Sequence, residues 1–299
     1  MSDAIGVKLI AASLARHAPQ WPVLAYLSEP LRSTIEAQLK SIHPNLRVLE
    51  YRGPENWSCK PAVLLQALAD APGMRLLWLD VDILVVGDPS PLARVDNGTL
   101  IIAEESNPND NALVARRQEV LGMESTPPRE TTISSCVIGV TEAERPMLTR
   151  WQALMQHEAF LREQALPVQQ RHLFFGDQEV WELVVCEASN RARPAYWLTN
   201  DSQMVQGTYT AHRRAAMPVR DHAMFVHATG NLKPWRGGAR RSGQEMFPYF
   251  WQAKPYLHVL TAVERAHFAQ LSGLAWIWRH FLGGFNTYRA ARRLMNRLR

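Results

Sequence analysis

Apolar and polar positions along this 299-residue chain fall into two rhythms, one of about 3.6 residues that marks helices and one of about 2 that marks strands. The helical rhythm predicts an amphipathic helix over Val7–Arg16, then helices over Leu31–Ile42 and Lys60–Asp70, the last with Pro61 tolerated in its first turn. Strand-like runs lie between them at Pro22–Leu27 and Leu46–Tyr51, and Arg75–Val86 is almost continuously apolar, as a strand buried on both faces would be. Further on, Thr99–Glu104, Ser135–Val140 and Ala223–His227 read as strands, while Glu142–Glu163 and Asp177–Ala188 read as helices. Residues 190–221 mix Arg, Pro, Asn and Gly without a period and predict an irregular loop.

Alternation of helix and strand predicts an α/β architecture. No fixed-period repeat or low-complexity tract interrupts it, which sets aside solenoids and propellers. The composition changes near Lys254, where the chain becomes rich in Arg, Trp and Phe, so the pattern predicts one domain over residues 1–254 and a basic aromatic tail over 255–299.

Composition narrows the class. Hydrophobic residues make up 46% and charged residues 20%, ordinary for a globular chain and unlike either a disordered or an integral membrane protein. Cys59, Cys136 and Cys186 stand far apart and form no zinc or disulfide framework. Asp3 precedes any basic residue and Lys8 interrupts the first apolar run, unlike a signal peptide, so a cytoplasmic setting is expected. The net charge of +5 resides in the tail: residues 262–299 hold seven Arg against one Glu, leaving about −1 elsewhere. A main domain without spread Lys and Arg is not expected to bind nucleic acid.

Within LLWLDVDILVVGDPSPL, Asp80 and Asp82 interrupt the most apolar strand pattern of the chain. Burying two neighbouring carboxylates is unfavourable unless a cation or a shared proton relieves them. On an extended strand, residues i and i+2 point the same way, so both can face one ion at the strand's carboxyl end, where open α/β sheets bind ligands. Oxygen ligands suit Mg²⁺ or Mn²⁺, and a histidine in the shell favours Mn²⁺. Alone, a D-x-D fits a turn or a helix cap as well as a cation site. The segment FVHATGNLKPW adds His227, which as a neutral imidazole can complete such a shell, Gly230, which lets backbone approach a phosphate, and Lys233, which supplies a point charge. A strand-end histidine, a turn glycine, a surface lysine and a core aromatic at Trp235 remain the plain alternatives.

A D-x-D followed, 145 residues after Asp82, by H-x-x-G-x-x-K-P-W resembles glycosyltransferase family 8, which includes glycogenin-like enzymes and bacterial lipopolysaccharide galactosyl- and glucosyltransferases. From about Ala4 to Trp251, that resemblance implies a GT-A nucleotide-diphospho-sugar transferase fold, a Rossmann-like mixed sheet flanked by helices. It also implies retaining transfer of a hexose from a UDP-sugar to a glycan or glycolipid hydroxyl with Mn²⁺ or Mg²⁺. Asp80, Asp82 and His227 then become the metal ligands, and Gly230 and Lys233 meet the donor diphosphate, with Trp235 closing the motif. Lys60 falls where the family has a basic residue near the donor phosphate and sugar, or is a surface lysine at a helix start. Asp177 and Gln178 match a pair that touches the transferred sugar, or Asp177 caps the helix. Gln178 is a poor nucleophile, so a same-face displacement with Asp177 positioning the sugar is expected.

Two departures are legible. Ser134, Ser135, Cys136 and Val137 stand where the family usually has Asn-Ala/Ser-Gly-Val against the sugar, which implies a different sugar specificity. The family's opening strand, which cradles the uracil, has no counterpart before Ala4. That implies an upstream start, a differently built pocket, or a catalytically inactive sugar-nucleotide-binding scaffold of the same fold. A nucleotidyltransferase using the same aspartates is a further alternative. In the tail, Trp276, Trp278, Phe281, Phe285 and Tyr288 sit among arginines, a mixture that fits an interfacial helix on an anionic membrane or a terminal helix docked on the domain. Its apolar part, broken at Arg279 and His280, is too short to span a bilayer.

Overall fold

The computed structural model describes residues 2–53, 58–199, 202–206, 223–228, 235, 249 and 252–266. Gly230, Lys233 and the arginine-rich segment 271–299 lie outside them. The chain enters on helix α1 (Ser2–His17), followed by β1 (Val23–Leu27), α2 (Glu29–Ile42), β2 (Leu46–Glu50) and α3 (Cys59–Asp70). Strands β1 and β2 pair in parallel, with Val23 opposite Leu46 and Leu27 opposite Glu50.

Helix α1 overturns the amphipathic expectation. Ala4, Ile5, Val7, Leu9, Ala11, Ala12 and Leu14 are all buried, and so are Lys8 and Ser13. A helix apolar all round belongs inside a protein, and this one is covered on both sides. Leu27, Ile35, Leu39 and Leu46 pack against one face of it. Tyr249, Ala253, Tyr256 and Leu260 pack against another. The buried Lys8 ammonium is neutralised by Glu264, 2.8 Å away, so residues 254–266 are docked on α1.

The continuous strand expected over Arg75–Val86 is in fact two, β3 (Leu76–Leu79) and β4 (Ile83–Val85), in different sheets. Asp80 to Asp82 form the turn between them, closed by a bond from the Ile83 N–H to the Asp80 carbonyl at 3.0 Å. Two adjacent carboxylates could not continue a buried ladder without stranding charge; turning the chain there frees them to face one another and the groups beside them. Both strands pair antiparallel rather than parallel: β3 with β6 (Thr131–Val140) and β4 with β9 (Phe225–His227).

The main sheet has the order β3-β6-β5-β7, with β5 (Leu100–Pro108) antiparallel to β6 and parallel to β7 (Ala195–Leu198). A smaller sheet has the order β4-β9-β8, with β8 (Met204–Gln206) parallel to β9. Strands β7 and β8 lie inside the stretch expected to be irregular. Helix α4 (Ser90–Ala93) is a single turn, and α5 (Asn111–Val120), which the apolar pattern did not announce, starts where the Asp110 carboxylate accepts from the Ala112 and Leu113 N–H groups.

The single helix expected over Glu142–Glu163 is broken by its own caps. Thr141 and Glu144 form a capping box around a 3₁₀ turn, Pro146 opens α6 (Arg145–Leu154), and the His157 imidazole accepts the Ala159 N–H to begin α7 (Glu158–Gln164). Likewise Asp177–Ala188 resolves into α8 (Gln178–Cys186) and α9 (Ala188–Arg191). Helices α3, α6 and α8 cover one face of the main sheet, with Trp151 and Trp181 tilted together, ring centroids 4.8 Å apart. Among the described residues, no helix is long and apolar enough to cross a membrane.

Candidate functional site

Strands β6 and β9 and helix α1 converge on the β3–β4 turn. The Asp80 N–H is held by the Cys136 carbonyl of β6 at 3.0 Å, and the Ala228 N–H by the Asp82 carbonyl at 2.9 Å. In the β4–β9 register Ile83 lies opposite His227, which sets the imidazole against the turn. Behind it stands Gly6 of α1, where a β-carbon would lie 2.7 Å from the Val81 carbonyl oxygen and 2.5 Å from the Trp235 ring. A hydrogen there lets the helix press against the turn.

The ligand atoms of Asp80, Asp82 and His227 all lie within 4.8 Å of one another. His227 Nε2 is 3.3 Å from Asp82 Oδ2, with both side chains buried. Burial alone disfavours the imidazolium, but the adjacent Asp82 carboxylate outweighs it and the pKa is pushed up to about 10, with the Cys136 side chain acting in the same direction. The Asp80 pKa is raised, first by burial and further by Asp82 and Asp177, with Lys60 opposing. Two carboxylates and an imidazole at this spacing fit a hard divalent cation that also takes nitrogen, the preference of Mn²⁺, with Mg²⁺ served by the carboxylates.

Lys60 stands beside this trio, not at the surface. Its ammonium, almost fully buried at the start of α3, lies 3.0 Å from Asp80 Oδ2 and 3.0 Å from Asp177 Oδ2. It donates to the Ser135 hydroxyl at 2.9 Å and the Ser135 carbonyl at 3.2 Å. Burial opposes its charge, but Asp177 and Asp80 more than compensate and hold the lysine protonated. Asp177 does not cap α8: its carboxylate makes no bond to the helix N–H groups and faces Lys60 instead. Next to it, the Ser134 hydroxyl lies 3.4 Å from Gln178 Oε1 and 3.0 Å from Cys136 Sγ.

Asp80, Asp82, His227, Lys60, Ser134, Ser135, Asp177 and Gln178 therefore form one continuous cluster from five separate stretches of chain. Trp235 does not join it; the ring is buried against α1 and Tyr249, and its N–H donates to Asp3 at 3.2 Å. One contributor went unannounced. The Trp78 indole N–H donates to Asp80 Oδ1 at 2.6 Å, and its signal was the strand period itself, which puts residues 78 and 80 on one side.

No family model matches the sequence, and no curated protein matches it. Solved structures do match in fold. WbbM, a bifunctional glycosyltransferase, superposes with a TM-score of 0.53 at 12% identity, covering 89% of this chain and 49% of WbbM, so the chain spans about half that protein's length. The galactosyltransferase LgtC, solved with donor and acceptor sugar analogues, gives 0.47 at 16% identity over 88% of this chain and 96% of its own. The glycosyltransferase GlyE of Streptococcus pneumoniae TIGR4 gives 0.49 at 14% identity over 90% and 60%. The fold is that of the GT-A glycosyltransferases: a mixed sheet flanked by helices.

Proposed function

We propose that this chain is a metal-dependent glycosyltransferase that moves a hexose from a UDP-sugar to a hydroxyl of a glycan or glycolipid, with retention of anomeric configuration. The observation that supports it most is the meeting, on a GT-A fold, of Asp80, Asp82 and His227 within one coordination sphere and of Lys60 and Asp177 directly beside it. A divalent ion held by that trio would neutralise charge developing on the departing diphosphate, worth several kcal/mol of transition-state stabilisation. On this reading Gly230 and Lys233 meet the same diphosphate from the segment that follows β9.

Asp177, 3.0 Å from the Lys60 ammonium, would accept from sugar hydroxyls and orient the ring. Gln178 and Ser134 lie together at the first turn of α8 and form the adjoining wall. Gln178 is too weak a nucleophile for a covalent intermediate, so the acceptor attacks on the face from which UDP leaves. Ser135 and Cys136 line the strand that would meet the sugar. Its side chains are larger than an Ala-Gly pair, which favours a sugar with less bulk on that side.

The tail supports a place for this reaction. Aromatic side chains and seven arginines in residues 262–299 fit attachment to the inner face of an anionic membrane, where lipopolysaccharide or surface-polysaccharide acceptors are assembled. Vesicle flotation of the full chain against residues 1–266 tests this, and equal binding would refute it.

For the reaction, a panel of UDP-sugars with Mn²⁺ is expected to give UDP release that disappears in Asp82→Ala. Binding of the nucleotide-sugar without release would identify an inactive scaffold, and pyrophosphate release would identify a nucleotidyltransferase.

A further inference from the structure

Lys60 is asked to serve more oxygens than it has hydrogens. An ammonium carries three N–H donors. Four oxygens lie within reach: Asp80 Oδ2 at 3.0 Å, the Ser135 hydroxyl at 2.9 Å, the Ser135 carbonyl at 3.2 Å and Asp177 Oδ2 at 3.0 Å. The first three are arranged as hydrogen bonds, whereas Asp177 Oδ2, fully buried, lies at ion-pair distance from the same ammonium without a well-angled hydrogen bond among the described residues. A buried carboxylate oxygen in that state is costly to leave so. Asp80, for its part, has both oxygens engaged, one by Lys60 and one by Trp78.

We infer that Lys60 is a positioning residue that couples cation binding to the sugar-side carboxylate. A cation taken up by the trio draws charge from Asp80 Oδ2, so the N–H donated there is released and redirected to Asp177, 3.0 Å from the same nitrogen. Metal uptake thereby fixes Asp177, and an empty metal site leaves it underheld. No bond to carbon and no proton changes hands; a hydrogen bond moves between two carboxylates already in contact with one ammonium. The proposal rests on the metal-binding reading above and adds a thermodynamic linkage to it. Reciprocity requires that whatever removes Asp177 also weakens the metal.

The test is Mn²⁺ affinity by titration calorimetry on the full chain, in wild type, Asp177→Asn, Lys60→Met and the double variant. Asp177→Asn leaves Lys60 wholly to Asp80 and is expected to weaken Mn²⁺ binding about tenfold, while Lys60→Met removes the competing cation and tightens it. In the Lys60→Met background, Asp177→Asn is expected to change the affinity by less than about threefold. Equal effects of Asp177→Asn in both backgrounds would overturn the coupling while leaving the metal site intact. Absence of Mn²⁺ binding in wild type would overturn the metal site itself, and the coupling with it. If Lys60→Met does not fold, Lys60→Gln, which keeps a donor for Ser135, takes its place in the cycle.

Discussion

Helix α8 separates two groups of buried and half-buried carboxylates that differ in what surrounds them. Near its start, Asp177 shares Lys60 with Asp80, and Asp82 faces an imidazole. Along the same helix, Glu179 accepts the Gly176 N–H at 3.0 Å and Glu182 accepts from the Asn109 amide at 2.7 Å, while the nearby Arg117 donates to the Leu173 carbonyl at 2.6 Å. Burial raises the pKa of both glutamates, with Arg117 opposing in each case. In the second group each carboxylate ties one loop or strand end to the helix, and so builds the frame. In the first, ligand atoms face one another across a shared centre. Burial of acids alone does not mark a site; convergence does.

The sharpest way to break this contrast is to remove one acid from each group. Asp82→Ala is expected to lower UDP release by about 10²–10³-fold or more with the fold intact, as loss of a metal-held charge would. Glu182→Ala is expected to do the reverse: a loss of about 1–2 kcal/mol in urea unfolding from the missing Asn109–Glu182 bond, with the Asn109 amide still held by the Arg129 and Thr131 carbonyls, and Mn²⁺ affinity unchanged within about twofold. Equal loss of metal binding in both variants would erase the distinction.

Next in size is the support given to the turn. Gly6→Ala places a methyl against the Val81 carbonyl and the Trp235 ring and is expected to cost about 1–3 kcal/mol in urea unfolding. Trp78→Phe removes the indole N–H from Asp80 and is expected to weaken Mn²⁺ binding about tenfold in calorimetry, with little change in melting temperature. An unchanged affinity would show that Lys60 alone orients Asp80.

The smallest effect concerns pH. Burial, only partly offset by Arg117, pushes the Glu179 pKa from 4.5 to about 7. For an acid raised on folding, the stabilisation is complete below the unfolded value and is lost as pH rises through the folded one. Wild type is therefore expected to lose about 1–2 kcal/mol relative to Glu179→Gln between pH 4.5 and 7, read from paired urea melts across that range. Parallel stability curves for the two proteins would count against a protonated Glu179.

The difference between the groups also explains what was legible in the sequence. Asp80 and Asp82 stood out because two charges interrupted an apolar run, and the cluster around them was legible from motifs at Lys60, Asp177 and His227. Glu179 and Glu182 gave no signal, since acids on a helix usually face water. The run Arg75–Val86 misled for a related reason: hydropathy reports that LLWL and ILV are buried, but not that a turn sends them into two sheets. Helix α1 read as amphipathic because Lys8 and Ser13 look polar, and their partners, Glu264 and the Val85 N–H, lie 256 and 72 residues away. Strands β7 and β8 are short and flanked by polar residues, and their pairing to β5 and β9 is wholly non-local. Trp235 fell within a motif, and among the described residues its ring lies against α1 at Gly6, a contact that no sequence spacing announces.

The central claim is that Asp80, Asp82 and His227 hold a divalent cation against the donor's diphosphate. Electron–nuclear double resonance of Mn²⁺ bound to the full chain with UDP reports both sides of that contact in one spectrum. The account predicts a ³¹P coupling from the diphosphate together with a nitrogen coupling from one imidazole, the latter lost in His227→Ala. A Mn²⁺ spectrum with phosphorus but no imidazole nitrogen in wild type would contradict it.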